Sequence, residues 1–146
     1  MRWNSKDLIP DSEIKNNVTE QSVAFAERFG RHLGHTEASF DEKGRKSSDE
    51  KLTSNQLRKF FGEVKRQQMQ GFNKTTFVML KPKLAYAVGR AFANSGNKYF
   101  KIKDLYIVLA DAIDKVSDEK SFNNFISIFE AIVAYHKAAE SGQQLL

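Results

Sequence analysis

The chain has 146 residues, of which 40% are hydrophobic and 28% are charged, and its formal net charge is +5. This length and apolar content suit one compact domain with a modest hydrophobic core, and they exclude a wholly disordered protein. The absence of cysteine excludes disulfides and thiolate metal sites, and no run approaches the roughly 20 apolar residues that a membrane span needs.

Residues 1–17 are polar, include one of the two prolines and show no sustained periodicity. Because few apolar groups are present to hold them, we expect a flexible N-terminal tail or a loosely docked arm. The first helical pattern runs from about Val18 to Leu33, where apolar residues recur at spacings of three, four and seven. A capping box is predicted at Asn17 and Glu20, and two glycines weaken the far end of this helix.

Residues 35–52 are nearly all polar, with charges of both signs, and we expect an exposed loop there. The loop separates only one helix from the rest, so residues 18–146 are predicted to form a single helical domain. The second helix begins at a capping box made by Thr53 and Gln56. Its apolar stripe is narrow and consists of Leu57, Phe60, Phe61 and Val64.

A third helical pattern follows Gly71, and Pro82 either begins that helix or kinks a longer one near Leu80. The fourth helix is predicted over about Ile102 to Val116, and the fifth over about Asp118 to Ala139. No segment alternates convincingly as a strand. The sequence therefore predicts an all-α protein, a single compact bundle of about five helices.

Positive charge is concentrated between Thr53 and Lys103, where eleven Lys and Arg residues accompany one acid, Glu63. This block has a net charge of +10, and the segments on either side are mildly acidic. Charge of one sign at this density is typical of a surface that binds a polyanion. At 100° per residue, the bases of the second helix fall away from its apolar stripe, and Glu63 is predicted to lie outside their surface.

In the third helix, Lys83, Tyr86 and Arg90 follow spacings of three and four and are therefore expected to lie side by side. Tyr86 offers a ring for stacking or a hydroxyl for ribose or phosphate, although packing at a helix crossing explains it equally well. Gly89 adjoins them, and one use of such a glycine is the close approach of another backbone. Charged helix surfaces are usually just solvated, but the lack of acids across this block argues against that interpretation.

The three histidines are too few and too scattered for a metal cluster, and no acid completes a ligand set around His32 and His35. The fourth-helix acids Asp104, Asp111 and Asp114 are predicted to be exposed and solvated. No phosphate-cradling loop or catalytic set is found, so no catalytic residue, metal or cofactor is expected. The N-terminal residues lack the apolar run of a signal peptide, and we expect a cytoplasmic protein without membrane association.

Three segments of the chain, in this order, carry a family resemblance: LTSNQLRKFFGEVKRQ, FVMLKPKLAYAVGR and FNNFISIFEAIVAYHK. Over roughly Leu52 to Lys137 the chain resembles the small subunit of the type III-A CRISPR effector, the Csm complex. The resemblance implies an all-helical, non-catalytic subunit present in several copies along the guide-RNA filament. Its implied partners are target RNA and guide (CRISPR) RNA, the other subunits of the complex and further copies of itself. Such subunits line the channel that holds the guide–target duplex and contact chiefly the target strand.

Eight positions combine an outward place on the helical wheels with a place in the matched motifs. We expect them to contact the RNA backbone without sequence specificity. These predicted RNA-binding residues are Arg58, Lys59, Lys65, Arg66, Lys81, Lys83, Tyr86 and Arg90. The alternative is a helical scaffold subunit whose basic face meets an acidic protein partner rather than RNA. A metal-dependent nuclease lacks a ligand set, and a DNA-binding helix-turn-helix protein does not suit charge spread over two helices.

Overall fold

The computed structural model describes residues 3–35, 38–40, 46–48, 52–95 and 101–142. Within these ranges the chain forms helices α1 (Asp11–Lys15), α2 (Glu20–Gly34), α3 (Ser54–Gln70), α4 (Lys74–Val78), α5 (Leu80–Ser95), α6 (Lys101–Lys115) and α7 (Glu119–Glu140), with strands β1 (Ala38–Phe40) and β2 (Lys46–Ser48). The predicted all-α fold is confirmed. The five long helices are those expected from the sequence, and the short helix α1 is additional. The third predicted helical pattern is divided into the short helix α4 and the long helix α5.

The polar segment between α2 and α3 contains a short antiparallel strand pair, in which Ala38 lies opposite Ser48 and Phe40 lies opposite Lys46. This corrects the expectation that the segment holds only loop. Strands of three residues offer too little alternation for the pattern to be recognised in the sequence. The rest of the predicted loop, at residues 36–37, 41–45 and 49–51, lies outside the described residues.

Residues 3–17 pack against the core, so the expectation of a flexible tail is wrong for this segment. The side chains of Ile9 and Ile14 are fully buried. The indole of Trp3 lies 5.0 Å from the ring of Phe29 in α2, measured between ring centroids. These apolar residues are isolated in the sequence and show no period, yet each contributes to the same hydrophobic core.

The N-cap of α2 is Thr19 rather than the predicted Asn17, and a carboxylate from α1 adds to this cap. Glu13 Oε1 accepts hydrogen bonds from the backbone N–H groups of Thr19 at 2.9 Å and of Ser22 at 3.1 Å, and from the hydroxyls of both residues. Burial opposes the ionisation of Glu13, but these four hydrogen bonds outweigh it and hold the pKa of the carboxyl below its ordinary value. The cap therefore ties α1 to α2.

Helix α2 packs on α7 at very short range through Gly30 and Gly34. A Cβ atom at Gly30 would lie 2.8 Å from the backbone nitrogen of His136, and one at Gly34 would lie 2.7 Å from the carbonyl oxygen of His136. Real Cβ atoms do not approach backbone this closely, so both positions require glycine. The sequence predicted that these glycines weaken the end of α2, and the helix does end at Gly34; their close contact with α7 was not predicted.

Phenylalanine rings connect α3 and α4 to α7. Phe77 of α4 lies edge-on to Phe122 at 5.0 Å and to Phe125 at 5.2 Å, and Phe61 of α3 lies edge-on to Phe129 at 5.3 Å. These contacts hold the apolar side of α3 against α7 and direct its polar side outward.

None of the described helices combines the length and apolar character that crossing a membrane requires.

Candidate functional site

The orientation of α3 about its axis is fixed by contacts at its N-terminus. The predicted capping box is present, with the Thr53 N–H donating to Gln56 Oε1 at 2.9 Å and the Gln56 N–H donating to Thr53 Oγ1 at 3.2 Å. The backbone N–H of Ser54 also donates to Glu140 Oε2 at the end of α7, at 2.9 Å. With Leu57 buried on the core side, the basic side chains of the helix are turned toward solvent.

The predicted residues on α3 are accessible. Arg58, Lys59 and Arg66 are exposed, and Lys65 is half-buried. On α5, Lys83, Tyr86 and Arg90 are exposed. We call these seven residues, Arg58, Lys59, Lys65, Arg66, Lys83, Tyr86 and Arg90, the α3–α5 surface.

Glu63 joins the two helices of this surface. Its Oε1 lies 2.6 Å from Arg66 Nη2 on the same helix and 3.4 Å from Lys83 Nζ on α5, and its Oε2 accepts from Arg66 Nε at 3.0 Å. The expectation that Glu63 lies outside the basic surface is therefore wrong. The hydrogen bonds from Arg66 contribute most to lowering the pKa of Glu63 to about 2, with Gln67 and Lys83 adding to them against the effect of burial.

Tyr86 projects from α5 with 71% of its surface exposed. That exposure rules out packing at a helix crossing within the described part of this chain, which was the other interpretation of this residue. Its neighbour Gly89 is also exposed, and a Cβ atom built there meets nothing within 4 Å. This part of α5 therefore presents an aromatic ring beside bare helix backbone.

Lys81 is set apart from the α3–α5 surface. Its Nζ lies 2.7 Å from Asp114 Oδ1 on α6, and this hydrogen bond raises the pKa of the lysine. By contrast, within the ranges that the structure describes, Arg58, Lys59, Lys65 and Arg90 take part in no hydrogen bond or ion pair through their side chains. The seven predicted bases thus form two groups in the described ranges. Arg66, Lys81 and Lys83 have an acidic partner, and the other four have none.

The acids of α6 do not share one environment. Asp104 is only 1% exposed, and its Oδ2 lies 2.7 Å from His32 Nε2 and 3.4 Å from the backbone nitrogen of Trp3. The prediction that Asp104 is solvated is therefore wrong, whereas Asp114 is exposed as expected. Buried Lys101 donates to the His32 carbonyl oxygen at 2.7 Å, so this cluster fastens α6 to α2.

The Asp104 cluster is structural in its geometry. Its hydrogen bonds join the N-terminal segment, α2 and α6. Among the described residues, no three His, Asp or Glu side chains come together in a group that could hold a metal ion.

Gly62 was not among the predicted residues. It is exposed in the middle of α3, and a Cβ atom built there meets nothing within 4 Å. A sequence signal was present, because the residues three and four positions before and after it are all basic.

A family model described as Csm2 Type III-A matches residues 32–142 of the chain. The matched region contains α3 to α7 and with them the whole α3–α5 surface. Comparisons with curated proteins and with solved structures gave no match. Because the family match covers about three quarters of the chain, the chain belongs to the Csm2 Type III-A family, the small subunits of the type III-A CRISPR effector complex.

Proposed function

We propose that this subunit binds RNA through the α3–α5 surface, lying along the guide–target duplex of the effector complex and contacting the target-RNA backbone without sequence specificity. The observation that carries the proposal is the set of partnerless bases on that surface. Arg58, Lys59, Lys65 and Arg90 have no acidic partner in the described part of the chain. Bases without partners are available to replace the counterions that surround a phosphate backbone.

Sequence recognition in RNA-guided complexes comes from base pairing between guide and target, so a subunit of this kind needs only shape and phosphate contacts. Arg and Lys side chains on helices supply such contacts but carry little sequence information. Several copies along one RNA would reinforce one another, because each further contact is made at high effective concentration. We therefore infer weak, salt-dependent binding by the single subunit and stronger binding within the assembled complex.

The test is fluorescence anisotropy with a labelled single-stranded RNA across a salt series. The surface variant replaces the partnerless bases: Arg58→Ala, Lys59→Ala, Lys65→Ala and Arg90→Ala. The control variant loses the same charge elsewhere: Lys6→Ala, Lys15→Ala, Lys120→Ala and Lys137→Ala. If each surface base meets one phosphate, the slope of log affinity against log salt falls by about 3 in the surface variant, at about 0.7 per contact, and stays unchanged in the control. Equal behaviour of the two variants would overturn the proposal.

A scaffold function is the second candidate, in which an acidic protein surface covers the α3–α5 surface. It is favoured by Met69, a large apolar side chain near the end of α3 with 88% of its surface exposed. Methionine is frequent at protein surfaces that bind other proteins adaptably. Competition separates the two candidates, because RNA added in excess displaces a protein partner only if both use the same surface.

We further propose that the subunit has no enzymatic activity of its own and works in the cytoplasm. The family assignment supports the first statement, since target cleavage is expected from another subunit of the complex. Incubation of the purified chain with RNA and added Mg²⁺ or Mn²⁺ tests it, and cleavage that persists in repurified protein would contradict it.

A further inference from the structure

Two kinds of helical glycine occur in this chain, and only one is explained by the fold. Gly30 and Gly34 face the backbone of α7 at distances that exclude a side chain. Gly62 faces open space, although glycine within a helix lowers its stability relative to alanine. Packing in the described part of the molecule therefore gives no reason for glycine at position 62.

The residues around Gly62 have the charge expected of a site that binds an anionic ligand. On a helix, the residues three and four positions away on either side surround the central residue. At Gly62 these four neighbours are Arg58, Lys59, Lys65 and Arg66. The helix backbone at Gly62 is therefore not covered by a side chain, and these four cationic residues surround it.

One acid lies close to this arrangement, and its charge is already engaged. Glu63 is bound by Arg66 at 2.6 Å and by Lys83 at 3.4 Å, on the side of α3 that faces α5. Arg58, Lys59 and Lys65 have no partner within the described ranges. Positive charge therefore dominates around Gly62.

We propose that the RNA backbone crosses α3 at Gly62, with one phosphate group seated over the bare helix backbone and adjacent phosphates reached by the surrounding cations. This inference rests on the proposed RNA-binding function and adds a specific crossing point to it. A polyanion whose charges recur along its length suits four cations better than a single carboxylate of a protein partner does. The planar guanidinium group of Arg58, which has no partner within the described ranges, also matches phosphate oxygens in pairs.

Substitution at Gly62 separates the effect of shape on RNA binding from the effect of charge. It covers the exposed helix backbone with a side chain and leaves every cation in place. The probe is a fluorescein-labelled oligouridine, and the variants are Gly62→Ala and Gly62→Leu. Gly62→Leu is expected to weaken binding about tenfold, or about 1.4 kcal/mol, and Gly62→Ala less, in order of side-chain size. Both variants are expected to melt at or above the wild-type temperature, since alanine and leucine are better helix formers than glycine.

Ala134→Leu is the matched control, because it adds a leucine to an exposed position of α7 outside the α3–α5 surface. It should bind the oligouridine as the wild type does. If Gly62→Leu lowers the melting temperature, Gly62→Ala with unchanged melting carries the comparison instead.

The possible failures are distinguishable. If the wild type binds and the surface variant does not, but both Gly62 variants bind like the wild type, the crossing point is wrong and the RNA-binding function stands. If Gly62→Leu keeps its RNA affinity but no longer joins the other subunits of the complex, the occupant is protein and the proposal is overturned. If the wild type itself does not bind RNA, the proposed function and this inference fall together.

Discussion

Lys83 on α5 lies 3.4 Å from the carboxylate of Glu63 on α3, and Glu63 is the one acid in a block of eleven bases. The same carboxylate binds Arg66. A single negative charge thus holds two cations of neighbouring helices close together, where they would otherwise repel each other. Glu63 has two effects that can be separated experimentally: it positions these cations, and it reduces the positive potential of the surface.

Glu63→Gln is expected to strengthen RNA binding, because the neutral amide releases Arg66 and Lys83 and adds one unit of net positive charge. The gain should reach at most about fivefold, the factor that corresponds to about 1 kcal/mol for an exposed ion pair. Anisotropy at low and high salt measures it, with Glu130→Gln on α7 as a control of equal charge change. A loss of affinity would show that holding the two cations in place matters more than the potential.

The depressed pKa of Glu63 predicts a defined pH window for its contribution to stability. Its ordinary value is about 4.5 and its value in the folded chain is about 2. A carboxyl whose pKa is lowered on folding contributes stability above its unfolded pKa and loses it as the pH falls through the folded pKa. The difference in unfolding free energy between wild type and Glu63→Gln should therefore be constant above about pH 5 and shrink toward about pH 2.

Urea unfolding at several pH values measures that difference. The lowered pKa of Glu13 adds its own acid sensitivity, but it is present in both proteins and cancels in the comparison. A difference that stays constant down to the acid end would contradict the ion-pair geometry at Glu63.

The same substitution should have opposite effects in two helices. Gly30→Ala places a methyl group 2.8 Å from the backbone of α7 and is expected to destabilise the fold by about 2 kcal/mol through overpacking. Gly62→Ala meets open space and should stabilise it by about 1 kcal/mol through helix propensity. Thermal and urea unfolding of the two variants, side by side, check both signs. If Gly30→Ala stabilises the fold as much as Gly62→Ala does, α2 and α7 can move apart at little cost in free energy.

Lys81 is expected to contribute less to RNA binding than Lys59, although both were predicted from the sequence. The ammonium group of Lys81 is bound to Asp114 at 2.7 Å, whereas Lys59 is exposed and has no partner in the described ranges. Single alanine variants compared by anisotropy test this order. A loss at Lys81→Ala as large as that at Lys59→Ala would show that RNA displaces Asp114.

Helices with periodic apolar residues were predictable to within a residue or two. The pattern placed α6 at about residues 102–116 and the structure places it at Lys101–Lys115. The capping box at Thr53 identified the start of α3 for the same reason, because cap and helix are neighbours in the chain. Local pattern is sufficient wherever the stabilising partners are also local.

Features decided by distant partners were not predictable from that pattern. Asp104 was expected to be solvated because nothing nearby in sequence indicates that His32 lies 2.7 Å away. The pairing of Lys81 with Asp114 and of Lys83 with Glu63 also needs the fold. The sequence therefore identified the basic helices but not which of their charges are available to a ligand.

The close fit of α2 on α7 sets a limit on how this protein can be shortened. The family match begins at residue 32, near the last turn of α2. A fragment trimmed to that boundary would lose the Phe25 and Phe29 side chains, which are buried in the core. It would also expose the part of α7 that Gly30 contacts. Such a fragment should be insoluble, so the smallest expressible unit is longer than the region by which the family is recognised.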